Sequence, residues 1–218
     1  MADGCLLYYI TDRSQLRGDE RSRFRALLAK VAEAARARVD YIQLREKDLS
    51  TRQLETFARE VLTAVHKNSP STRLLLNSRT DVALAAGADG VHLRSDDVAP
   101  HEVRRVLESS AHRPLTTDRF LVAASCHSNE DVIRAQSEAV DFVVFAPVFE
   151  KRSTPGTEPT GLAALREACR AKISVLALGG VTLDNAASCL DAGAAGVAGI
   201  RLFQDNKIED VVRALRAL

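Results

Sequence analysis

The sequence contains no tryptophan, one methionine and few aromatic side chains, which make up 5% of its 218 residues. The sequence also lacks an excess of charge of either sign, because 30 basic residues are matched by 29 acidic ones and the net charge is +1. Proteins that bind nucleic acids or membrane surfaces normally carry a basic excess, so the balance argues against both classes. It leaves room for a local cationic site.

Long hydrophobic runs are absent too, since no stretch reaches the roughly 18 apolar residues that span a bilayer. The N-terminus lacks the basic and apolar regions of a secretory signal. The cysteines, Cys5, Cys126, Cys169 and Cys189, show neither a CxxC pair nor zinc spacing. We therefore expect a cytoplasmic protein with reduced thiols, in which Cys126 is not a nucleophile.

Short runs rich in Leu and β-branched residues recur along the chain, as is typical of strands buried on both faces of a parallel sheet. The predicted strands are Cys5–Ile10, Tyr41–Leu44, Arg73–Asn77, Gly90–Leu93, Phe120–Ala124, Asp141–Phe145, Ile173–Leu178 and Ala195–Ile200. Amphipathic stretches predict helices at Ser22–Val39, Ser50–His66, Thr80–Ala86, Pro100–Ser109, Ser128–Ala139, Leu162–Ala171, Leu183–Ala192 and Lys207–Leu218.

Eight strands, each followed by a helix, predict a single (β/α)8 TIM barrel domain over residues 1–218. A doubly wound sheet is the alternative, but it would normally carry about five or six strands. Active sites of barrels form at the C-terminal ends of the strands, so polar residues there are the candidates. The Pro/Gly/Thr-rich stretch Phe149–Thr160 is expected to be a flexible lid.

Two cations follow the second predicted strand. Alternation places Gln43, Arg45 and Lys47 on one face, and Glu46 on the other. Converging cations need an anion, and a diphosphate is an obvious candidate. The alternative is that Arg45 and Lys47 form ordinary surface ion pairs with Glu46 or Asp48.

Oxygen- and nitrogen-bearing side chains follow the next three strands. Asn77 and the consecutive aspartates Asp96 and Asp97 could supply Mg²⁺ ligands. The two aspartates could also cap the helix that begins at Pro100, and the two roles are not exclusive. Ser125 and His127 could act as hydrogen-bonding or acid/base groups. The alternative is that Ser125 or Ser128 caps the next helix while His127 packs nearby.

Glycine-marked turns follow the last two strands. They are Gly179–Gly180 and the stretch Gly199, Ile200 and Arg201, which match the phosphate site that many barrels build after strands seven and eight. The sequence therefore predicts two anion sites: a diphosphate near strands two to four and a monophosphate near strands seven and eight.

Six motifs together resemble the thiamine phosphate synthase family and cover nearly the whole chain. They are Tyr9–Asp12, Gln43–Lys47, Leu76–Arg79, Ala88–Leu93, Ala146–Phe149 and Ala177–Val181. The resemblance implies an enzyme that joins a hydroxymethylpyrimidine diphosphate to a thiazole phosphate and releases pyrophosphate with Mg²⁺. In the family chemistry the diphosphate leaves first, and the thiazole nitrogen captures the resulting cation.

The resemblance also implies roles for individual residues. Asp97 would ligate Mg²⁺, and Gly180 with the turn Gly199–Arg201 would hold the thiazole phosphate. The pyrimidine diphosphate would contact Gln43, Arg45, Lys47 and Asn77, with Ser125 near the pyrimidine. The expected partners are small phosphorylated molecules, and a homo-oligomer is compatible with these patterns.

The chain departs from the family at two positions. Ser78 stands where the family usually has an aspartate that is a second metal ligand. After strand six, Lys151-Arg152-Ser153-Thr154 replaces a Thr-x-Thr-Lys pattern, so Thr154 takes the position of the lysine. These losses leave open a thiazole tautomerase, which needs neither diphosphate nor metal and uses a histidine near the position of His127, and a non-catalytic paralogue that binds thiamine precursors.

We predict that Lys151 or Arg152 replaces the lysine that the family places on the diphosphate. Lys151→Ala or Arg152→Ala should then raise the KM for the pyrimidine diphosphate, because a cation on the leaving group is lost. Steady-state kinetics check this, and unchanged affinity and turnover in both variants would contradict it.

Overall fold

The computed structural model describes residues 4–108, 119–150 and 158–218. The strands are β1 Leu6–Ile10, β2 Tyr41–Leu44, β3 Arg73–Asn77, β4 Gly90–Leu93, β5 Leu121–Cys126, β6 Phe142–Phe145, β7 Ser174–Ala177 and β8 Gly196–Gly199. The α-helices are α1 Glu20–Arg36, α2 Thr51–Asn68, α3 Thr80–Ala86, α4 Pro100–Glu108, α5 Asn129–Ser137, α6 Gly161–Ala168, α7 Ala186–Asp191, α8 Arg201–Gln204 and α9 Ile208–Arg216.

The eight strands form a closed parallel barrel in chain order, and β8 pairs with β1. This confirms the predicted (β/α)8 TIM barrel and rules out the doubly wound sheet, whose edges would stay open. The strands β2, β3 and β4 have the predicted bounds, and the ends of the other five differ from the prediction by at most two residues. Two short elements were not predicted: a 3₁₀ turn at Arg13–Gln15 and the helix α8.

Alternate residues of the strands fill the barrel interior. A compact apolar cluster contains Tyr8, Leu75, Phe142, Val144 and Leu176, and Tyr41 stacks on Phe142 with ring centroids 4.6 Å apart. The intervening residues, such as Leu7 and Leu74, face the helices and join a larger cluster between barrel and helices. Because both strand faces are buried, the strands read as continuous apolar runs. Among the described residues, no helix combines the length and apolar character needed to cross a membrane.

Local sequence signals fix the starts of two helices. Ser50 and Gln53 form a reciprocal capping box at the start of α2, and Ser128 and Asp131 form another at the start of α5. Each box satisfies backbone N–H groups that would otherwise lack partners in the first turn. These caps set the direction in which each chain segment leaves the C-terminal end of the preceding strand.

A repeated aspartate joins neighbouring strands at the opposite end of the barrel. Asp40, Asp89 and Asp141 each precede an even-numbered strand and accept a hydrogen bond from a backbone N–H of the preceding strand, at 2.7 Å in every case. Each also pairs with an arginine, as Asp141 does with Arg104 at 2.5 Å. These hydrogen bonds fix the register of strand pairs β1–β2, β3–β4 and β5–β6.

Asp141→Ala should lower the free energy of unfolding by about 1.5–3 kcal/mol, because the Val122 N–H and the partly buried Arg104 lose a charged acceptor. Urea unfolding measures the loss. Glu167→Ala, which removes an exposed pair with Arg170, is the matched control and should change stability by under about 0.5 kcal/mol. Equal effects of the two substitutions would show that Asp141 does not hold the strands together.

Candidate active site

All eight strands run in parallel, so their C-terminal ends meet at one end of the barrel. We call this end, with the residues that follow the strands there, the barrel mouth. It brings together every predicted site residue that the structure describes. Lys151, Arg152 and Ser153, and most of the predicted lid, lie outside the described residues.

Arg45 and Lys47 enter the barrel mouth after β2 without an acidic partner among the described residues. Their neighbours Glu46 and Asp48 bind Arg13 instead, at 3.0 and 2.7 Å, so the surface ion pairs considered from the sequence do not form. The nearby Arg45 guanidinium lowers the pKa of Lys47, with smaller contributions from desolvation and from Arg94, while the Asp12 carboxylate opposes this shift. Positive charge therefore accumulates at this side of the mouth.

A chain of four polar side chains crosses the upper interior of the barrel. The Gln43 amide nitrogen donates to the Tyr8 hydroxyl at 3.1 Å. The Tyr8 hydroxyl lies 3.2 Å from Nδ1 of His92, and Nε2 of His92 lies 2.8 Å from the Ser125 hydroxyl. Gln43 and His92 are buried, while Ser125 is half-buried at the mouth.

The directions of these hydrogen bonds follow from the charge of His92. Burial, with a smaller contribution from Arg45, lowers the pKa of His92 to about 3, so the ring is neutral and carries one proton. Tyr8 already accepts from Gln43 and has its own proton to donate, which makes Nδ1 the acceptor and Nε2–H the donor to Ser125. The Ser125 hydroxyl is then free to donate its proton towards the mouth.

Asp97 and Ser125 line one cavity of about 160 Å³ beside the ends of β4 and β5. Asp97 accepts from the backbone N–H of Arg94 at 2.7 Å, and Asp96 pairs with the Arg94 side chain at 2.5 Å. These bonds close the turn after β4, and among the described residues neither aspartate accepts a hydrogen bond from the first turn of α4. Asp97 thereby stays at the mouth.

The candidate metal ligands form a small oxygen set. Asn77 donates its amide N–H to the Ser78 hydroxyl at 3.0 Å, and Ser78 has a left-handed backbone with φ 63°. No group of three or more His, Cys, Asp or Glu side chains within the described ranges could hold a metal ion by itself. One carboxylate with neutral oxygens suits Mg²⁺ only where substrate phosphate and water complete its shell, and this is a common arrangement for that ion.

The polar side chains at the end of β5 and just after it have different roles. Ser128 caps α5, whereas Ser125 does not. His127 is exposed, with Nδ1 2.7 Å from the Ala146 carbonyl, so that nitrogen carries the proton and Nε2 is left unprotonated in the neutral ring. Burial raises the pKa of Cys126 to about 12, which makes this thiol a poor nucleophile.

The glycine turns have the backbone that an anion site needs. Gly179 and Gly180 have φ values of 95° and 65°, and a Cβ at Gly180 would lie 2.5 Å from the Glu150 carbonyl oxygen. Their N–H groups donate to no acceptor among the described residues. After the neighbouring strand β8, Gly199 and Ile200 lead into the short helix α8, whose first residue, Arg201, is exposed.

Comparison with known proteins gives a consistent result. The model of the family described as thiamine monophosphate synthase (TMP-TENI) matches residues 7–203. The chain belongs to the thiamine monophosphate synthase family. A thiamine-phosphate synthase of Methanoculleus marisnigri is 38% identical over 218 residues, covering 97% of this chain and 92% of the relative. Another, from Caldanaerobacter subterraneus subsp. tengcongensis, is 34% identical over 218 residues, covering 96% and 93%.

A solved structure agrees with these sequence relatives. Thiamine phosphate pyrophosphorylase from Pyrococcus furiosus superposes with a TM-score of 0.78 and 26% identity, covering 97% of this chain and 94% of that one. The predicted family resemblance is thus confirmed along with the fold.

Four residues at the mouth of this family member were not singled out from the sequence. They are Tyr8 and His92, which support Ser125, and Thr11 and Arg13, which contact the segment after β2. One signal for His92 was available, since a histidine between Val91 and Leu93 interrupts an apolar strand. Nothing local identified Arg13, whose acidic partners Glu46 and Asp48 lie 33 and 35 residues away.

His92 should remain neutral in the folded protein to about pH 4, because burial lowers its pKa far below the ordinary value of about 6.5. ¹⁵N NMR of the imidazole should show a proton on Nε2 only. The unfolded chain takes up a proton near pH 6.5 and the folded chain does not, so this site makes folding less favourable as pH falls from about 6.5 towards 3. Protonation of His92 near pH 6.5, or a proton on Nδ1, would overturn the assigned hydrogen-bond directions.

Proposed function

We propose that this chain is a thiamine phosphate synthase, which condenses a hydroxymethylpyrimidine diphosphate with a thiazole phosphate. The observation that carries the proposal is the pair of cations, Arg45 and Lys47, that have no acidic partner among the described residues at the mouth of a barrel of this family. Arg45 is half-buried and Lys47 is exposed. Two neighbouring cations that form no ion pair suit the oxygens of a diphosphate.

Arg45 and Lys47 would bind the oxygens of the diphosphate. Negative charge grows on the pyrophosphate as its bond to the pyrimidine methylene carbon breaks, so fixed cations at this place stabilise the transition state more than the bound substrate. The backbone N–H of Arg45 donates to the Thr11 hydroxyl at 3.0 Å, which fixes the start of this segment before the substrate arrives. Lys151 and Arg152 are proposed to add positive charge to the site of the leaving group, with Ser153 as a further contact.

Gln43 and Ser125 would orient the pyrimidine. The Gln43 amide oxygen accepts no hydrogen bond from the described residues, and the Ser125 hydroxyl proton is free because His92 occupies its acceptor side. The two groups thus offer one acceptor and one donor to the edge of a heteroaromatic ring. Asn77, at the end of β3, would contact the same substrate.

The thiazole phosphate would bind at the glycine turns after β7 and β8. The free N–H groups of Gly179 and Gly180 lie where many barrels bind a phosphate, and the turn from Gly199 through Ile200 to Arg201 adds backbone and one exposed cation. His127 would stand between the two substrates after β5, where its unprotonated Nε2 could accept a proton.

Mg²⁺ is the proposed metal, with Asp97 as its carboxylate ligand and Ser78 at the second family position. When bound, the ion would neutralise charge on the diphosphate oxygens. Asp97 alone among these groups carries charge, so the affinity for Mg²⁺ would depend strongly on the substrate phosphates.

The direct test is an incubation of the purified protein with both substrates and Mg²⁺, in which thiamine phosphate and pyrophosphate are measured. Both products should form in equal amounts. Arg45→Gln and Lys47→Gln should each lower kcat/KM for the diphosphate by about 100-fold, because roughly 2.7 kcal/mol of charge stabilisation is lost. Lys67→Gln, on the exposed surface of α2, is the control for lost charge and should leave kcat/KM unchanged.

A different outcome would assign the chain to the alternative activity. If no thiamine phosphate forms but the thiazole carboxylate phosphate is isomerised, the chain is a tautomerase. If both assays are silent while either precursor raises the melting temperature, it is a binding paralogue.

A further inference from the structure

A group of buried polar side chains connects the end of β1 to the segment Arg45–Asp48 after β2. The Thr11 hydroxyl donates to Glu46 at 2.6 Å and accepts from the backbone N–H of Arg45 at 3.0 Å. Thr11 is fully buried. One hydroxyl therefore fixes both the backbone of Arg45 and the side-chain direction of Glu46.

Arg13 occupies the centre of this group. Its guanidinium contacts Glu46, Asp48 and Glu20 at 3.0, 2.7 and 2.6 Å, and it lies over the Phe24 ring at 4.7 Å. Its backbone N–H also donates to Glu46 at 3.1 Å. The side chains of Arg13 and Glu46 are only 4% and 2% exposed.

Stability alone gives little reason for such an arrangement. Desolvation offsets most of the attraction within a buried ion pair, and apolar residues of similar volume often do as well. Burial raises the pKa of Glu46, and hydrogen bonds from Thr11 and Arg13 oppose that rise.

The alternating charges of the segment Arg45–Asp48 indicate a role other than stability for these buried side chains. Arg45, Glu46, Lys47 and Asp48 alternate in sign, so each cation has an acidic neighbour one residue away. Arg13 binds both acids on the side of the segment that faces β1. The two cations are left with no acidic partner among the described residues.

We propose that Thr11 and Arg13 are positioning residues for the diphosphate site, which hold Glu46 and Asp48 away from Arg45 and Lys47 so that both cations remain available to the substrate. The inference rests on the proposed function. It adds two residues that touch neither substrate and assigns them an effect on one substrate alone.

Thr11→Val tests the proposal, since it keeps the side-chain shape and removes both hydrogen bonds of the hydroxyl. Isothermal titration with inorganic pyrophosphate in the presence of Mg²⁺ should give a Kd about 10-fold higher than for the unmodified protein, the effect of losing roughly 1.4 kcal/mol. Thr11→Ser retains the hydroxyl and should restore the Kd to within about 2-fold, a difference of roughly 0.4 kcal/mol. The KM for the thiazole phosphate should stay unchanged in both variants.

Thr72→Val is the matched control. Thr72 is equally buried and donates to the Val39 carbonyl at 2.8 Å, at the opposite end of the barrel. This variant should lose similar stability in thermal unfolding without a change in pyrophosphate Kd. An equal rise in Kd for Thr11→Val and Thr72→Val would mean that the effect is one of stability, and the proposal would be wrong.

A double variant, Arg13→Met with Glu46→Leu, tests the sequestering of the acids without leaving a buried charge unpaired. Asp48 is then free to pair with the cations, and the pyrophosphate Kd should again rise about 10-fold. If the unmodified protein binds pyrophosphate and neither Thr11→Val nor the double variant changes the Kd, the positioning proposal fails alone. If the unmodified protein does not bind pyrophosphate, the proposed function fails and takes the positioning proposal with it.

Discussion

The buried ion pair between Arg13 and Glu46 determines which charges face the barrel mouth. Four residues of alternating sign follow β2, and without this pair they could neutralise one another within the segment. The pair, with Thr11 and Asp48, draws the acids towards β1 and leaves Arg45 and Lys47 without an acidic partner among the described residues. The proposed binding of a diphosphate depends on that separation, because cations already paired with carboxylates would attract its oxygens less strongly.

The barrel could be predicted because its signal is local and repeated. Each strand is an apolar run and each helix an amphipathic stretch, so the alternation is visible from segment to segment. The helix Thr80–Ala86 has the predicted bounds, and its end at Gly87 follows from a left-handed residue with φ 75°. The helix α8 and the turn at Arg13 were missed because four and three residues are too few to show periodicity.

The location of the site residues could be predicted because it depends on topology alone. Parallel strands bring Gln43, Asn77, Asp97, Ser125 and Gly180 to one end of the barrel, whatever hydrogen bonds each side chain makes. Which partner each side chain takes could not be read, because the contacts join residues far apart in the chain. The hydrogen bond between Tyr8 and His92 spans 84 residues, and the one between Arg13 and Glu46 spans 33. Distant contacts of this kind also set the neutral state of His92.

We propose that the barrel mouth holds two anions at separate places. A crystal structure of the protein with pyrophosphate, thiamine phosphate and Mg²⁺ tests this separation. We expect density for the pyrophosphate within hydrogen-bonding distance of Arg45 and Lys47, and density for the phosphate of thiamine phosphate against the N–H groups of Gly179 and Gly180. Pyrophosphate bound at the glycine turns, with Arg45 and Lys47 paired to Glu46 and Asp48, would contradict it.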